Sequence, residues 1–390
     1  MARSLSSLWL KNLRSFSKVQ RAQQQLLKRL LPKPARRPAA KKARPVRASG
    51  PGAPRQPVGA ARLQTAGSGR KPAASLPQAG TWQKGYSPGA PPAVTGRAQA
   101  RRLLYWLYLP PVADPGPLPL VVMLHGCQQS ATDFATATRM NELAERKGFA
   151  VLYPQQSAAG DANRCWHWYQ RAVQRGDGEV RVIADLIAQM QQRHGLDASR
   201  TYVAGLSAGA ALATLLALRH PELVAAVGLH SAPVFGTVES ALGAYRTMQR
   251  GAGEAHLDAA GALVESALVP PGLPAIVIHG ERDSVVRRIN AVQLAQQLQI
   301  VNRAALTRLE PTRRSYPARS TGRSPRRAWT SSTHYAGRRP QLVLCEIAGL
   351  GHAWSGGDDS VKFTERSGPD ASAMMWAFFA RHRLGNASLR

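Results

Sequence analysis

A serine set between glycines, Gly205-Leu206-Ser207-Ala208-Gly209, follows directly on the apolar run Thr201-Tyr202-Val203-Ala204 and opens a stretch of Ala and Leu over 208–218. No other feature of the chain narrows the fold as far. Small residues on both sides of a serine permit a strand-to-helix turn so sharp that the hydroxyl projects clear of the backbone. The Ala/Leu stretch has high helix propensity, and the small residues nearest the turn let it pack closely beneath a sheet. The rest of the sequence alternates in the same sense. Apolar or β-rich runs at 102–109, 118–124, 149–153, 224–229, 274–278 and 342–347 predict strands. Segments 132–147, 179–194, 290–301 and 369–381 predict helices, while 169–178 and 231–268 read as loops over a site. This pattern predicts an α/β fold, a mostly parallel sheet with helices on both faces.

Two further residues stand where such a sheet places chemistry, at the C-terminal ends of its strands. Asp283 closes His279-Gly280-Glu281-Arg282-Asp283 after the run 274–278, and His352 sits in Gly349-Leu350-Gly351-His352-Ala353-Trp354 after 342–347. The chain order Ser207, Asp283, His352 is that of one arrangement of nucleophile, acid and base. In it His352 takes the serine proton and Asp283 fixes the imidazole tautomer; Asp358 and Asp359 are the alternative acids. Stabilising an oxyanion needs two N–H donors. One is expected from Ala208, the residue after the serine, and one from the His125-Gly126-Cys127 loop that follows 120–124, at Cys127. Trp166, Trp168 and Trp354 are the aromatic candidates for a substrate pocket, with loop-anchoring core as the alternative for Trp166. Gln128 and Gln129 either bond substrate or hold the loop.

Taken together, His125-Gly126-Cys127-Gln128-Gln129, Asn163-Arg164-Cys165-Trp166-His167-Trp168, the Gly-Leu-Ser-Ala-Gly elbow and Gly349-Leu350-Gly351-His352-Ala353-Trp354-Ser355-Gly356-Gly357 resemble the polyhydroxybutyrate depolymerase family of α/β-hydrolase esterases over about residues 100–385. The resemblance implies an α/β-hydrolase fold, a Ser207, Asp283, His352 triad, and an oxyanion hole at Cys127 and Ala208. It implies hydrolysis of polyhydroxybutyrate-type polyester or hydroxyalkanoate oligomers, with feruloyl or acetylxylan esters as the alternative, since the family includes such esterases. It also implies a Cys127–Cys165 pairing. The residues themselves leave that pairing open, because three thiols are the expectation in a reducing cytosol. The sequence departs from the resemblance at His167, where relatives often carry Asn, and in an expanded stretch before His352.

Charge divides the chain differently. The formal net charge is +30, yet residues 1–100 hold 20 Lys and Arg with no acid, and residues 303–339 hold 10 Arg against the single acid Glu310. The remainder is nearly neutral, so the basic character belongs to attachments and points to a polyanion or an interface; a polyanion- or granule-surface-binding protein is the alternative to an esterase. Residues 1–31 alternate Leu, Trp and Phe with Lys and Arg. They read as a basic amphipathic segment suited to a granule or anionic surface, or as a coil that merely contains leucines. Residues 32–100, rich in Pro, Ala and Arg, read as disordered linker; residues 101–385 form the catalytic domain, with 303–339 as an Arg-rich insertion. Nucleic acid is not expected as a specific partner, since the tail offers charge without a reading motif. No signal-peptide pattern and no membrane-spanning run is present, so the expected address is cytoplasmic, on storage-polymer granules, with an extracellular location as the alternative. No metal-ligand spacing or nucleotide fingerprint occurs, and no cofactor is expected.

Overall fold

The computed structural model describes residues 79–87, 102–111, 116–266, 272–321 and 325–385, all within one compact unit, 72–390. The basic amphipathic segment 1–31 and most of the linker 32–100 lie outside the described residues.

A ten-stranded sheet organises the molecule. Its strands are β1 (Thr81–Tyr86), β2 (Leu104–Leu109), β3 (Leu120–Leu124), β4 (Ala150–Gln155), β5 (Thr201–Leu206), β6 (Ala226–His230), β7 (Ala275–Gly280), β8 (Thr312–Tyr316), β9 (Trp329–Ala336) and β10 (Arg339–Ile347), in the spatial order β1-β2-β4-β3-β5-β6-β7-β10-β9-β8. The six central strands, β4 to β10 in that order, are mutually parallel. Two antiparallel strands flank them on each side. A parallel sheet is covered on both faces, which is why its strands read as continuous apolar runs. In β3 every residue is buried, Leu120, Val122 and Leu124 toward one core and Val121 and Met123 toward the other.

Helices fill both faces. Those of the first turn are α1 (Ala131–Thr138) and α2 (Met140–Lys147), followed by the short α3 (Arg171–Gln174), α4 (Glu179–His194) and α5 (Ala208–Arg219). Then come α6 (Ala241–Arg250), α7 (Ala255–Glu265), α8 (Ile289–Asn302) and α9 (Ala371–Phe379). One core packs α4, α5 and α8 against the sheet; the other packs α1, α2 and α9.

Four expectations are corrected. The single helix over 132–147 is two, broken at Arg139 in the left-handed region (φ 52°). The carbonyls that would have continued it are taken by other groups: the Ala137 carbonyl accepts from the Asp358 N–H (3.0 Å) and the Thr138 carbonyl from the Ser372 hydroxyl (2.6 Å). The loop expected over 231–268 contains two helices, α6 and α7. Part of the expected linker is β1, whose Trp82 packs on Trp106, Tyr108 and Tyr153 at ring distances of 5.8, 5.6 and 5.6 Å. The Arg-rich insertion is not an appendage either, since it supplies β8 and β9 and so extends the sheet. Exposed arginines on an edge strand, here Arg313 and Arg314, keep it from pairing with another molecule.

Candidate active site

The elbow forms because its glycines leave no alternative use of the space. A Cβ on Gly205 would lie 2.5 Å from the Gly209 backbone, and one on Gly209 would lie 2.1 Å from the Leu124 carbonyl oxygen. The helix therefore starts against the end of β3. Ser207 is held at φ 57°, ψ −120°, a conformation costly for a residue with a side chain and found where the surroundings impose it. Its own N–H donates to the His230 carbonyl (2.9 Å), and it is 7% exposed.

Asp283 and His352, the candidate acid and base, come from the loops after β7 and β10, which are tied together. The Arg282 N–H donates to the Leu350 carbonyl (2.9 Å), the Glu281 N–H to the Ile347 carbonyl (3.0 Å), and the Gly349 N–H to Glu281 Oε2 (3.2 Å). This brings His352 Nδ1 to 2.8 Å from Asp283 Oδ2. Asp283 Oδ1 accepts the N–H groups of Val285 and Val286, each at 2.9 Å. Burial works to raise the Asp283 pKa. The hydrogen bond from His352, the charges of His352 and His279 and the Val286 N–H outweigh it and hold the carboxylate below its usual range. With an ionised acceptor on Nδ1, that nitrogen carries the proton, and Nε2 of His352 is left as a base.

His125, Gly126 and Cys127 form a loop beside the elbow. A Cβ on Gly126 would lie 3.4 Å from the Leu206 carbonyl. Buried His125 is pushed down to about 4 by burial and so is neutral. Its Nδ1 faces the Gly126 carbonyl (2.8 Å), its Nε2 accepts from the Gln156 N–H (3.1 Å), and its carbonyl accepts the Trp166 indole N–H (3.0 Å). Gln129 accepts the Gly126 N–H (2.9 Å), which makes it a loop holder. Among the described residues nothing accepts from the N–H of Cys127 or of Ala208, so both expected oxyanion donors are available. Cys127 is disulfide-bonded to Cys165, in place of the free thiols expected in a reducing cytosol; Cys345 is a buried free thiol.

The loop that carries Cys165 is fastened by groups no motif announced. Asp161 Oδ1 accepts the N–H groups of Asn163 (2.8 Å) and Cys165 (3.1 Å). Glu179, at the start of α4, accepts from the His167 N–H (2.7 Å), faces His167 Nδ1 (2.8 Å) and also bonds the Gln156 amide. Asp161 and then Glu179 raise the His167 pKa to about 9 against its burial. The ring is therefore a cation between two carboxylates at neutral pH. His230 was likewise missed: burial lowers it to about 3, its Nε2 accepts the Ser355 N–H (3.2 Å) and its ring stacks on Trp354.

The aromatic pocket expectation is corrected. Trp166 and Trp354 are fully buried and Trp168 is 5% exposed. Trp354 packs edge-on to Phe134 (5.4 Å), and its indole N–H donates to Ser372 Oγ (3.2 Å). All three are core. Gln128 is exposed, with φ 64°, and is anchored by its backbone N–H on the Asn163 carbonyl (2.6 Å). Among the described residues no group of three or more His, Cys, Asp or Glu is placed to hold a metal ion, and no helix is long and apolar enough to cross a membrane.

Residues 103–319, more than half the chain, match the family model described as Esterase PHB depolymerase. The chain is 38% identical over 127 residues to the poly(3-hydroxyalkanoate) depolymerase C of Paucimonas lemoignei, which covers 32% of this chain and 30% of that protein. It is 31% identical over 132 residues to a probable acetylxylan esterase A of Neosartorya fischeri, covering 33% and 34%. The aligned stretch thus spans about a third of the length of these relatives. Among solved structures, an acetyl xylan esterase from Aspergillus awamori superposes with a TM-score of 0.57 at 19% identity, over 77% of this chain and 99% of that one. This likeness concerns the fold, which is that of the α/β hydrolases.

Proposed function

The chain belongs to the esterase PHB depolymerase family, and from that premise we propose that it is a serine carboxylic ester hydrolase acting on polyhydroxybutyrate-type polyester or its hydroxyalkanoate oligomers. The observations that carry the reading are the 2.8 Å Asp283–His352 hydrogen bond and a serine held at φ 57° in the turn between β5 and α5. Ser207 Oγ attacks the ester carbonyl while His352 Nε2 takes its proton. The oxyanion is met by the N–H groups of Ala208 and Cys127, fixed donors of a kind typically worth about a hundredfold or more in rate. The tetrahedral species collapses as His352 returns the proton to the leaving alcohol. A water, deprotonated by His352, then cleaves the Ser207 acyl ester and releases the acid. Buried, ionised Asp283 keeps the imidazole in the required tautomer throughout.

A second reading, an acetylxylan or feruloyl esterase, has support in the 31% identity to a protein named for acetylxylan. A panel of hydroxybutyrate oligomers, polymer granules, acetylated xylan and feruloyl esters, with release of acid followed, separates the two. Hydroxybutyrate release with no acetate release from xylan is expected; the converse overturns the polyester assignment. The Cys127–Cys165 disulfide favours an oxidising compartment. It supports the extracellular alternative over the cytoplasmic one.

A further inference from the structure

At the opposite end of the sheet, where β3, β5 and β10 begin and α9 ends, a cavity of about 310 Å³ is lined by Arg200, Arg339, Arg381, Arg383, Tyr202, Trp376 and His382. We propose that this cleft is a binding site for a small anion carrying two or more phosphate groups.

Charge is the first ground. Arg200 is neutralised by Asp197 and donates to the Pro117 carbonyl (2.9 Å). Arg339, Arg381 and Arg383 have no carboxylate partner among the described residues. These three exposed guanidinium groups around one small cavity give it a positive potential that favours an anion.

The second ground is independent of the arginines' side-chain flexibility. His382 is 3% exposed, yet neither of its ring nitrogens makes a hydrogen bond. Burial, then the charge of Arg339, pushes its pKa down to about 4, with Arg381 adding to the effect; the Pro340 carbonyl pulls the other way without reaching hydrogen-bond geometry. Orphaned buried polar groups of this kind are rare and ask for a ligand, ion or water. The residue is firmly placed, because the Tyr202 hydroxyl donates to its carbonyl (2.8 Å). Burial raises the Tyr202 phenol to about 12, opposed by Arg200 and Arg383, which line the same cavity. Trp376, held by stacking on Phe149 (4.0 Å), also lines the cavity.

The ligand class follows from the donors. A guanidinium presents a rigid fork that matches phosphate oxygens two at a time. One carboxylate satisfies a single fork, whereas a di- or triphosphate offers enough charge and oxygen atoms for three. The volume lies at the lower end of sites for small ligands. With strand residues spaced at about 3.3 Å, six residues of β5 place this cleft roughly 20 Å from Ser207, so the proposal does not depend on the ester chemistry.

Calorimetric titration of the full chain with inorganic pyrophosphate, against sulfate at matched ionic strength, tests it. Saturable pyrophosphate binding tighter than that of sulfate is expected, weakened about tenfold in Arg339→Ala and in Arg383→Ala, with the melting temperature and turnover of a soluble ester unchanged. Pyrophosphate binding no tighter than sulfate, or undiminished in both variants, overturns the proposal; the latter would place phosphate affinity elsewhere on this basic chain.

Discussion

Asp283 carries more of the proposed chemistry than its single contact to His352 suggests, because its other oxygen is already committed to two backbone N–H groups. Asp283→Asn keeps that shape but offers Nδ1 of His352 the wrong partner. Ester turnover should fall on the order of ten-thousandfold with the fold retained; a near-normal rate in steady-state assays would move the acid elsewhere, to Asp358 or Asp359. Since its folded pKa lies below the unfolded value of 3.8, Asp283 stabilises the fold above that pH, and the contribution is lost as pH falls through the folded value. His167 has the opposite sign. Raised from 6.5 to about 9, it stabilises fully below pH 6.5 and loses that contribution as pH rises through about 9. Melting temperatures measured from pH 6 to 10 should decline over that window in the wild type and more weakly in His167→Gln. At this scale the sequence pointed to Ser207, Asp283 and His352 as candidates because each follows an apolar strand in a loop that contains glycine. It misplaced Trp354. That residue starts a short strand, β11 (Trp354–Ser355), paired with β12 (Thr364–Glu365), and the pairing turns its ring into the core, which no spacing from His352 discloses. The Asp161–His167–Glu179 clamp was invisible for a related reason, since Glu179 belongs to a different element.

Among elements, the Cys127–Cys165 link couples the candidate oxyanion loop to the loop that Asp161 and Glu179 hold. Its partners are 38 residues apart, a closure worth about 3–4 kcal/mol by loop entropy. Cys165→Ser, or reduction, should lower stability by about that amount in denaturant titration and lower kcat more than it raises KM, as expected if the loop presents an N–H to the transition state. β1 is the element the composition concealed: it lies in a stretch rich in Pro, Ala and Arg, and only Trp82 and Tyr86 signal that something there packs. A chain of residues 79–390 should keep the melting temperature and soluble-ester turnover of the whole. A chain of residues 88–390 loses Trp82 and bares β2, an edge of sequence LYWLYL; it should melt lower by on the order of 5 °C or more and aggregate. Equal melting points for the two would show that β1 contributes nothing to the sheet's stability. The central strands were readable because burial on both faces makes each a short apolar run, whereas β8, exposed along most of its length, carries no such run.

Over the whole molecule, charge and the candidate active site are kept apart. The net charge of +30 lies chiefly in residues 1–100, outside the described structure except for β1, and in the stretch that forms β8, β9 and the start of β10. Arginines there protect an open sheet edge, and one of them, Arg339, joins the cleft at the far end of the strands. Four carboxylates, Asp161, Glu179, Glu281 and Asp283, meanwhile hold the loops of the candidate active site. Such a division lets a surface or anion be engaged without perturbing Ser207, and any attachment through the basic segment should weaken as salt rises. That Ser207 is the nucleophile is tested most directly by treating the protein with an activated organophosphate and locating the adduct by peptide mass spectrometry. One adduct per chain on the peptide containing Ser207, formed in step with loss of ester hydrolysis and absent in Ser207→Ala, is the expected result. Loss of activity with the adduct on another residue, or full hydrolysis by Ser207→Ala, would contradict it.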